Sequence, residues 1–211
     1  MLKILNPESL RDTTLLAKTH QLRYKVFVKE LGWKKGISAV NQLEFDCYDH
    51  ADAFYLVDAD ENDEVNAAVR LTQTVYPNVL LDSFAENVDS ACSYRSPDIV
   101  EISRFCSDKD KAPKHVMGNI IAGLLQLGLH SHIKQYVSFS NVNIQRRSER
   151  FGWPVEYIGP ISRIDNARVG AMRHDVTEEY YGQVSRMMAL TNPLLDENEL
   201  SRCPIRQLQI C

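Results

Sequence analysis

Fixed charges inside segments that otherwise read as apolar constrain this chain more than any other feature. Arg23 in LRYKVFV, Arg70 in NAAVRLTQ, and Glu101 and Arg104 in PDIVEISRFC sit among residues that belong in a core. Burying an ionised side chain is expensive unless it is paired or put to use. Three further carboxylates, Glu44, Asp46 and Asp49, crowd into LEFDCYD. Three arginines against four carboxylates can pair among themselves and still leave acceptors for a cationic ligand. The pattern points to a polar substrate site built into the fold rather than to a decorated surface.

With 211 residues the chain is long enough for one domain with a full core. Residues 1–195 are expected to form that domain, with 196–211 as a loosely held tail whose apolar QLQIC end is able to dock. The apolar share of 44% and charged share of 25% are those of an ordinary globular protein. A net charge of −4 does not resemble that of a nucleic-acid binder. The start, MLKILNPESLRD, has no apolar run of signal-peptide length, and no run approaches membrane-spanning length, so a cytoplasmic protein without membrane insertion is expected. Five cysteines (Cys47, Cys92, Cys106, Cys203 and Cys211) without a CxxC pair suggest reduced thiols, with Cys106 in the core. His130 and His132, two apart on a helix, point in different directions, and no metal site is expected.

Helical spacing of Leu15, Leu16, Thr19, Leu22, Val26 and Phe27 predicts a helix over about 10–30, interrupted by Gly32. Ala53 to Val57 and Val65 to Thr72, joined by the acidic turn DENDE, read as a β-hairpin. VLLDSFAENV holds a short helix within a longer loop, and Asp98 to Phe105 is the next strand. A helix from His115 to His132 has a broad apolar face. Tyr136 to Ser140 follows as a strand, Ile144 to Phe151 as a basic helix, GWPVEYIG as a turn and strand, Val169 to Met172 as a strand and Glu178 to Leu190 as a helix. Strands joined by helical crossovers argue an α/β sandwich with a mixed sheet. The Glu101/Arg104 strand should lie beside the Tyr136–Ser140 strand.

Spacing also says what the charges can reach. Arg23 and Phe27, four apart, share a helix face. Phe27 and Trp33 suit either core anchors or a cover whose faces meet an adenine ring or a cation. Glu44 and Asp46, two apart, project to one side of an extended chain, and such close carboxylates either sit in a solvated acidic loop or need arginine partners or a metal. Arg70 fits an edge position or a buried fork between acids. Glu101 and Arg104, three apart on a strand, face opposite ways if the strand is regular and come together only if it bulges.

In order and separation, LRYKVFVKELGW, LEFDCYDHADAFYLV, AAVRL, VLLDSF, VEISRF and GWPVEYIGP resemble the LuxI-type acyl-homoserine lactone synthases, over about residues 20–160. The resemblance implies a fold similar to GNAT-type N-acyltransferases: a three-layer α/β/α sandwich with a mixed, splayed central sheet. It implies acyl transfer from a thioester to the amine of S-adenosylmethionine, then lactonisation with release of methylthioadenosine. Arg23, Phe27 and Trp33 would belong to a flap over S-adenosylmethionine, with Asp46, Asp49 and Arg70 organising its amino-acid end. Glu101 would serve as general base, and backbone N–H groups at a bulge near Arg104 and Phe105 would hold the thioester carbonyl. Met117, Ile121, Leu125, Ser138 and Ser140 would line the acyl pocket.

The donor would be an acyl carrier protein or acyl-coenzyme A, and no cofactor beyond the two substrates is implied. Lys114 and the basic face Arg146, Arg147 and Arg150 are candidates for meeting the donor, although that face equally suits simple solvation. The chain departs from the pattern in places. A glycine-rich pyrophosphate loop is reduced to KAPKHVMGN with one glycine, Ala67-Ala68-Val69 stand where a glycine is often seen, and Ser138 and Ser140 stand where many 3-oxo-acyl enzymes have threonine.

Overall fold

The computed structural model describes residues 1–33, 38–164 and 166–205. In chain order come β1 (Leu2–Leu5), α1 (Thr13–Arg23), β2 (Ser38–Val40), β3 (Leu43–Phe45), β4 (Ala53–Ala59), β5 (Val65–Gln73), α2 (Val79–Ser83) and β6 (Ile99–Ser107). Then follow α3 (Val116–His130), β7 (Gln135–Asn141), α4 (Val142–Arg150), β8 (Glu156–Tyr157), β9 (Ser162–Ile164), β10 (Ala167–Asp175), α5 (Glu178–Met187) and α6 (Glu197–Leu200). The main sheet runs β1-β4-β5-β6-β7-β10-β8, with β9 on β10; β2 and β3 form a separate hairpin. Among the described residues only β6 and β7 pair in parallel, and the strand–helix–strand crossover through α3 makes that pairing possible. The neighbours expected from the sequence are therefore neighbours in the sheet.

Both faces of the sheet are covered, so the central strands read as continuous apolar runs; all of β4 is buried. On one face α3 and α5 pack Ile120, Leu124, Leu127 and Val184 over Phe54, Leu56, Leu71 and Val100. There α3 comes so close to β1 that a Cβ on Gly123 would lie 2.4 Å from Leu2 Cδ1. On the other face α1 places Leu15 and Leu22 over Tyr55, Val57 and Ala68, while α2 places Leu80 and Leu81 over Ile99 and Val137. The mixed three-layer α/β/α sandwich is as expected. Its splay is visible in the register: β6 and β7 pair through Glu101↔Val137 and no further, although both strands continue.

Four local features differ from the sequence reading. β1 was not anticipated; it is four residues long, too short to declare a period, and its strand character comes from pairing with β4. The first helix begins at Thr13 and continues past Arg23 as π-type turns over Tyr24–Glu30, ended by Gly32 at φ +69°. The β2–β3 hairpin was also not anticipated. Finally, the segment expected to trail loosely is packed as far as it is described. Leu195 and Leu200 join the α3-side core, the Gln126 amide bonds to the backbone of Leu194 and Leu195, and Arg202 pairs with Asp12. Two buried leucines and an ion pair supply what composition concealed. The QLQIC end and Cys211 lie outside the described residues. Cys106 is buried, as expected. No described helix is long and apolar enough to cross a membrane.

Candidate active site

The register of β5 against β6 sets up the site. Thr72 pairs with Glu101, Leu71 with Ile102 and Arg70 with Ser103, but Ala68 then pairs with Cys106. Two residues of β6, Arg104 and Phe105, thus stand against Val69 alone, which is a β-bulge. Arg104 takes φ +53°, a left-handed conformation that non-glycine residues adopt at some cost. Ile102 and Phe105 both pack into the α3-side core, three residues apart rather than two. Ser103 and Arg104 are therefore both turned to the α1 side, where Glu101 also lies. The bulge does what a regular strand forbids: it puts Glu101 and Arg104 on one face.

On that face six charges form a closed network. Arg23, wholly buried, bonds through Nε to Glu44 and grips Asp49 with both terminal nitrogens, at 2.6 and 2.9 Å. Arg70, also wholly buried, reaches Asp46 at 2.6 Å, Asp49 at 2.8 Å and the Ser103 hydroxyl at 3.1 Å. Arg104 closes the ring on Glu44 Oε1 at 3.2 Å and Asp46 Oδ2 at 2.5 Å. Tyr55 donates to Asp49 at 2.6 Å, and the His20 ring lies 2.8 Å from the Glu44 carbonyl. Burial works against the charge on Asp49, yet Arg23 and then Arg70 outweigh it and hold its carboxyl far below the usual range. Burial likewise opposes the charge on Arg23, and Asp49 and Glu44 overcome it and raise its proton affinity. Bidentate, charge-assisted bonds of this kind are the strong ones.

Phe27 and Trp33 stack at 4.8 Å, and the Arg104 guanidinium lies 5.5 Å from the centroid of each ring. Among the described residues the cation these faces meet is thus Arg104. Trp33 remains 44% exposed at the rim, whereas Phe27 is buried in the α1-side core, so the stack spans the two.

Glu101 stands apart from the network. It is 1% exposed; Oε1 accepts from the Leu80 N–H of α2 at 2.6 Å, and Oε2 is buried with no partner among the described residues. Burial pushes its proton affinity up, against the opposing pulls of Arg70 and the Leu80 N–H. Of the four carboxylates, this is the one left with a spare acceptor.

The remaining candidates divide. Lys114, Met117, Arg147 and Arg150 line one cavity of about 390 Å³ at the start of α3, with Lys109, Asp108 and Phe151; Arg146 is exposed and does not line it. Ile121 and Leu125 are sealed into the α3-side core. Ser138 and Ser140 share the face of β7 that carries Tyr136 into that core; the Ser138 hydroxyl is buried without a partner, and Ser140 Oγ lies 3.7 Å from Met172 Sδ. The sequence reading did not single out Tyr55, His20, Ser103 or the Leu80 N–H. A tyrosine within an apolar strand was a usable signal for the first, but a backbone donor leaves no trace in composition.

The profile of the autoinducer synthase family matches residues 7–184. The acyl-homoserine-lactone synthase of Aliivibrio fischeri is 29% identical over 171 residues, covering 78% of this chain and 88% of that one. Among solved structures, BjaI, a coenzyme-A-dependent acyl-homoserine lactone synthase with SAM and isopentyl-CoA, superposes with a TM-score of 0.82 at 19% identity, covering 96% and 98% of the two chains. TofI, solved in a ternary complex with an inhibitor and MTA, gives a TM-score of 0.74 at 25% identity over 92% of this chain and 100% of that one. The chain belongs to the autoinducer synthase family.

Proposed function

We propose that this protein makes an acyl-homoserine lactone, a quorum-sensing signal, from S-adenosylmethionine and an acyl thioester. The observation that carries the reading is the β6 bulge, which sets Glu101, with its spare oxygen, on the same face as the arginine–carboxylate network. The α-amine of S-adenosylmethionine is protonated at neutral pH and cannot attack until it loses a proton. Glu101 takes that proton, directly or through one water, and its raised proton affinity suits it to the task. The freed nitrogen adds to the thioester carbonyl, whose oxygen is met by backbone N–H groups where the bulge breaks the pairing. Collapse expels the thiolate, which takes the extra proton shed by the nitrogen as the amide forms and leaves as the thiol.

The methionyl carboxylate then attacks its own γ-carbon. The C–S bond breaks, the sulfonium takes the electron pair, methylthioadenosine departs and the lactone closes. This second step needs a folded substrate more than a catalytic group. Arg23, Arg70 and Arg104, fixed by Glu44, Asp46 and Asp49, form a rigid floor for the amino-acid end. Phe27 and Trp33 cover it. The reaction as drawn needs no cofactor beyond the two substrates, and both are available in the cytoplasm, where we place it.

For the donor, the cavity with Lys109, Lys114, Arg147 and Arg150 suits a phosphorylated pantetheine arm, whether carried by a protein or by coenzyme A. Met117 and Phe151 at its wall offer the way toward the acyl pocket proposed for Ile121, Leu125, Ser138 and Ser140. The test is purified protein with S-adenosylmethionine and a panel of acyl thioesters, followed by mass spectrometry. Acyl-homoserine lactone and methylthioadenosine in equal amounts are expected. Acylation of another amine with no methylthioadenosine would instead make this a GNAT-like N-acyltransferase without lactonisation.

A further inference from the structure

The short helix α2 meets the site at Glu101. Its hold begins at Asn78, which is wholly buried. Asn78 Oδ1 accepts from the Leu81 N–H at 3.0 Å, and its amide nitrogen donates to the carbonyls of Tyr76 at 2.9 Å and Thr74 at 3.3 Å. Its own N–H donates to Asp82 at 2.8 Å, and Asp82 pairs with Arg95. Thr74 in turn donates to the Tyr94 carbonyl at 2.6 Å. This web fixes the first turn of α2, and the turn delivers the Leu80 N–H to Glu101 Oε1 at 2.6 Å. At its far end Ser83 lies 2.7 Å from the Tyr48 hydroxyl, next to the loop that supplies Asp46 and Asp49.

A carboxylate buried beside Arg70 has a simple alternative to standing free, which is to turn toward that guanidinium. The Leu80 N–H prevents this by holding one oxygen, and the other is left buried and unpartnered. We infer that Asn78 is a positioning residue for the acyl-transfer step: through the Leu80 N–H it fixes Glu101 so that Oε2, and not Oε1, receives the proton of the substrate amine. This role rests on the proposed reading of Glu101 as the base.

The test compares wild type with Asn78→Ala and with Asn78→Ser, which keeps a capping oxygen. Losing a cap bond costs on the order of a factor of ten. With folding checked by circular dichroism, Asn78→Ala should lower kcat by about tenfold while leaving the KM for S-adenosylmethionine within about twofold. Loss of a bond to the ionised carboxylate should also move the acid limb of the pH–rate profile to higher pH. Asn78→Ser should recover both effects. If Asn78→Ala does not fold, Asp82→Ala, at an exposed position, carries the same comparison with smaller shifts. A rate that falls only with the folded fraction, with the acid limb unmoved, overturns the role.

An infrared titration of the Glu101 carboxyl, identified by its loss in Glu101→Gln, needs no turnover. There the Asn78 variant must shift the midpoint upward. An unshifted midpoint refutes the positioning whatever the enzyme makes. A shifted midpoint in a protein that releases no methylthioadenosine instead overturns the assignment of function, and with it the acyl-transfer role.

Discussion

On the α1 side of the sheet, Glu44, Asp46 and Asp49 each accept from two or more donors, and Arg23 and Arg70 are wholly buried among them. On the α3 side the buried carboxylate Asp58 is likewise held, by Asn66 and Asn119, while neutral groups there stand unpartnered: the Ser138 hydroxyl and both nitrogens of His174 have no hydrogen bond among the described residues. The difference follows from cost. An unpaired charge in a core is far more expensive than an orphaned hydroxyl or imidazole. Charged groups must therefore come as a complete set, whereas neutral ones can be left alone singly. Glu101 breaks the rule of its own face, because it is a carboxylate on the charged side with one oxygen unpartnered. That exception is what the proposed role of Glu101 as general base draws on.

Removing a member of the closed set should have the largest effect. Arg70→Ala takes one arginine from both Asp46 and Asp49, leaving them to Arg104 and Arg23, and losing one partner of a buried ion pair costs about 3–5 kcal/mol. Urea denaturation should show that loss, and turnover should vanish with it. A variant as stable as wild type would break the claim that the network is a structural floor. Glu101→Gln should behave the opposite way. It keeps the fold and S-adenosylmethionine binding but lowers kcat by about 10²–10⁴-fold, the usual contribution of a general base. Full activity would remove Glu101 from that role.

How much of this was readable beforehand depends on the range of the interaction. The charged residues and their spacing were visible in the chain, as were the strands that carry Arg70, Glu101 and Arg104 and the neighbour of β6. The order of the family motifs gave the fold. What local spacing could not give was detail set by pairing at a distance. The bulge at Arg104 was expected from the resemblance alone, because it exists where β5 and β6 shift register, and no local spacing announces that. The Leu80 N–H reaches Glu101 across 21 residues of sequence. The packing of Leu195 and Leu200 depends on α3 and β1, which lie far from them in the chain.

Acid titration can sharpen the comparison, because His174 on the α3 side and Asp49 on the α1 side respond in different windows. Burial lowers His174 from 6.5 to about 4, so between those values the unfolded chain binds a proton that the folded one refuses. Its contribution is complete above pH 6.5 and is lost as the pH falls toward 4, by about 3 kcal/mol. His20, lowered by burial and then by Arg23, adds with the same sign. Glu101, raised by burial, has the opposite sign: its folded form gains protons first, so acidification there stabilises. Asp49 is held far below its ordinary value of 3.8, so its contribution is lost only below that. Subtracting the profile of His174→Gln from that of wild type isolates the first term. A difference that is flat between pH 6.5 and 4 would show that the imidazole on the α3 side is not paying a burial penalty.

The smallest effect belongs to Ser138, and it tests the neutral face most directly. Its side chain is buried with no partner for Oγ, so Ser138→Ala removes a polar atom that gains nothing where it stands. Deleting an orphaned group of nearly the same shape is neutral or stabilising, by up to about 1 kcal/mol. A clear loss of stability would mean that the hydroxyl has a partner, such as an ordered water, and that the contrast between the two faces is weaker than drawn. The same variant bears on the acyl pocket. Assayed with 3-oxo and unsubstituted acyl thioesters of one length, it should change the ratio of the two products if Oγ faces the acyl chain. An unchanged ratio with unchanged stability would make Ser138 part of the α3-side packing and nothing more.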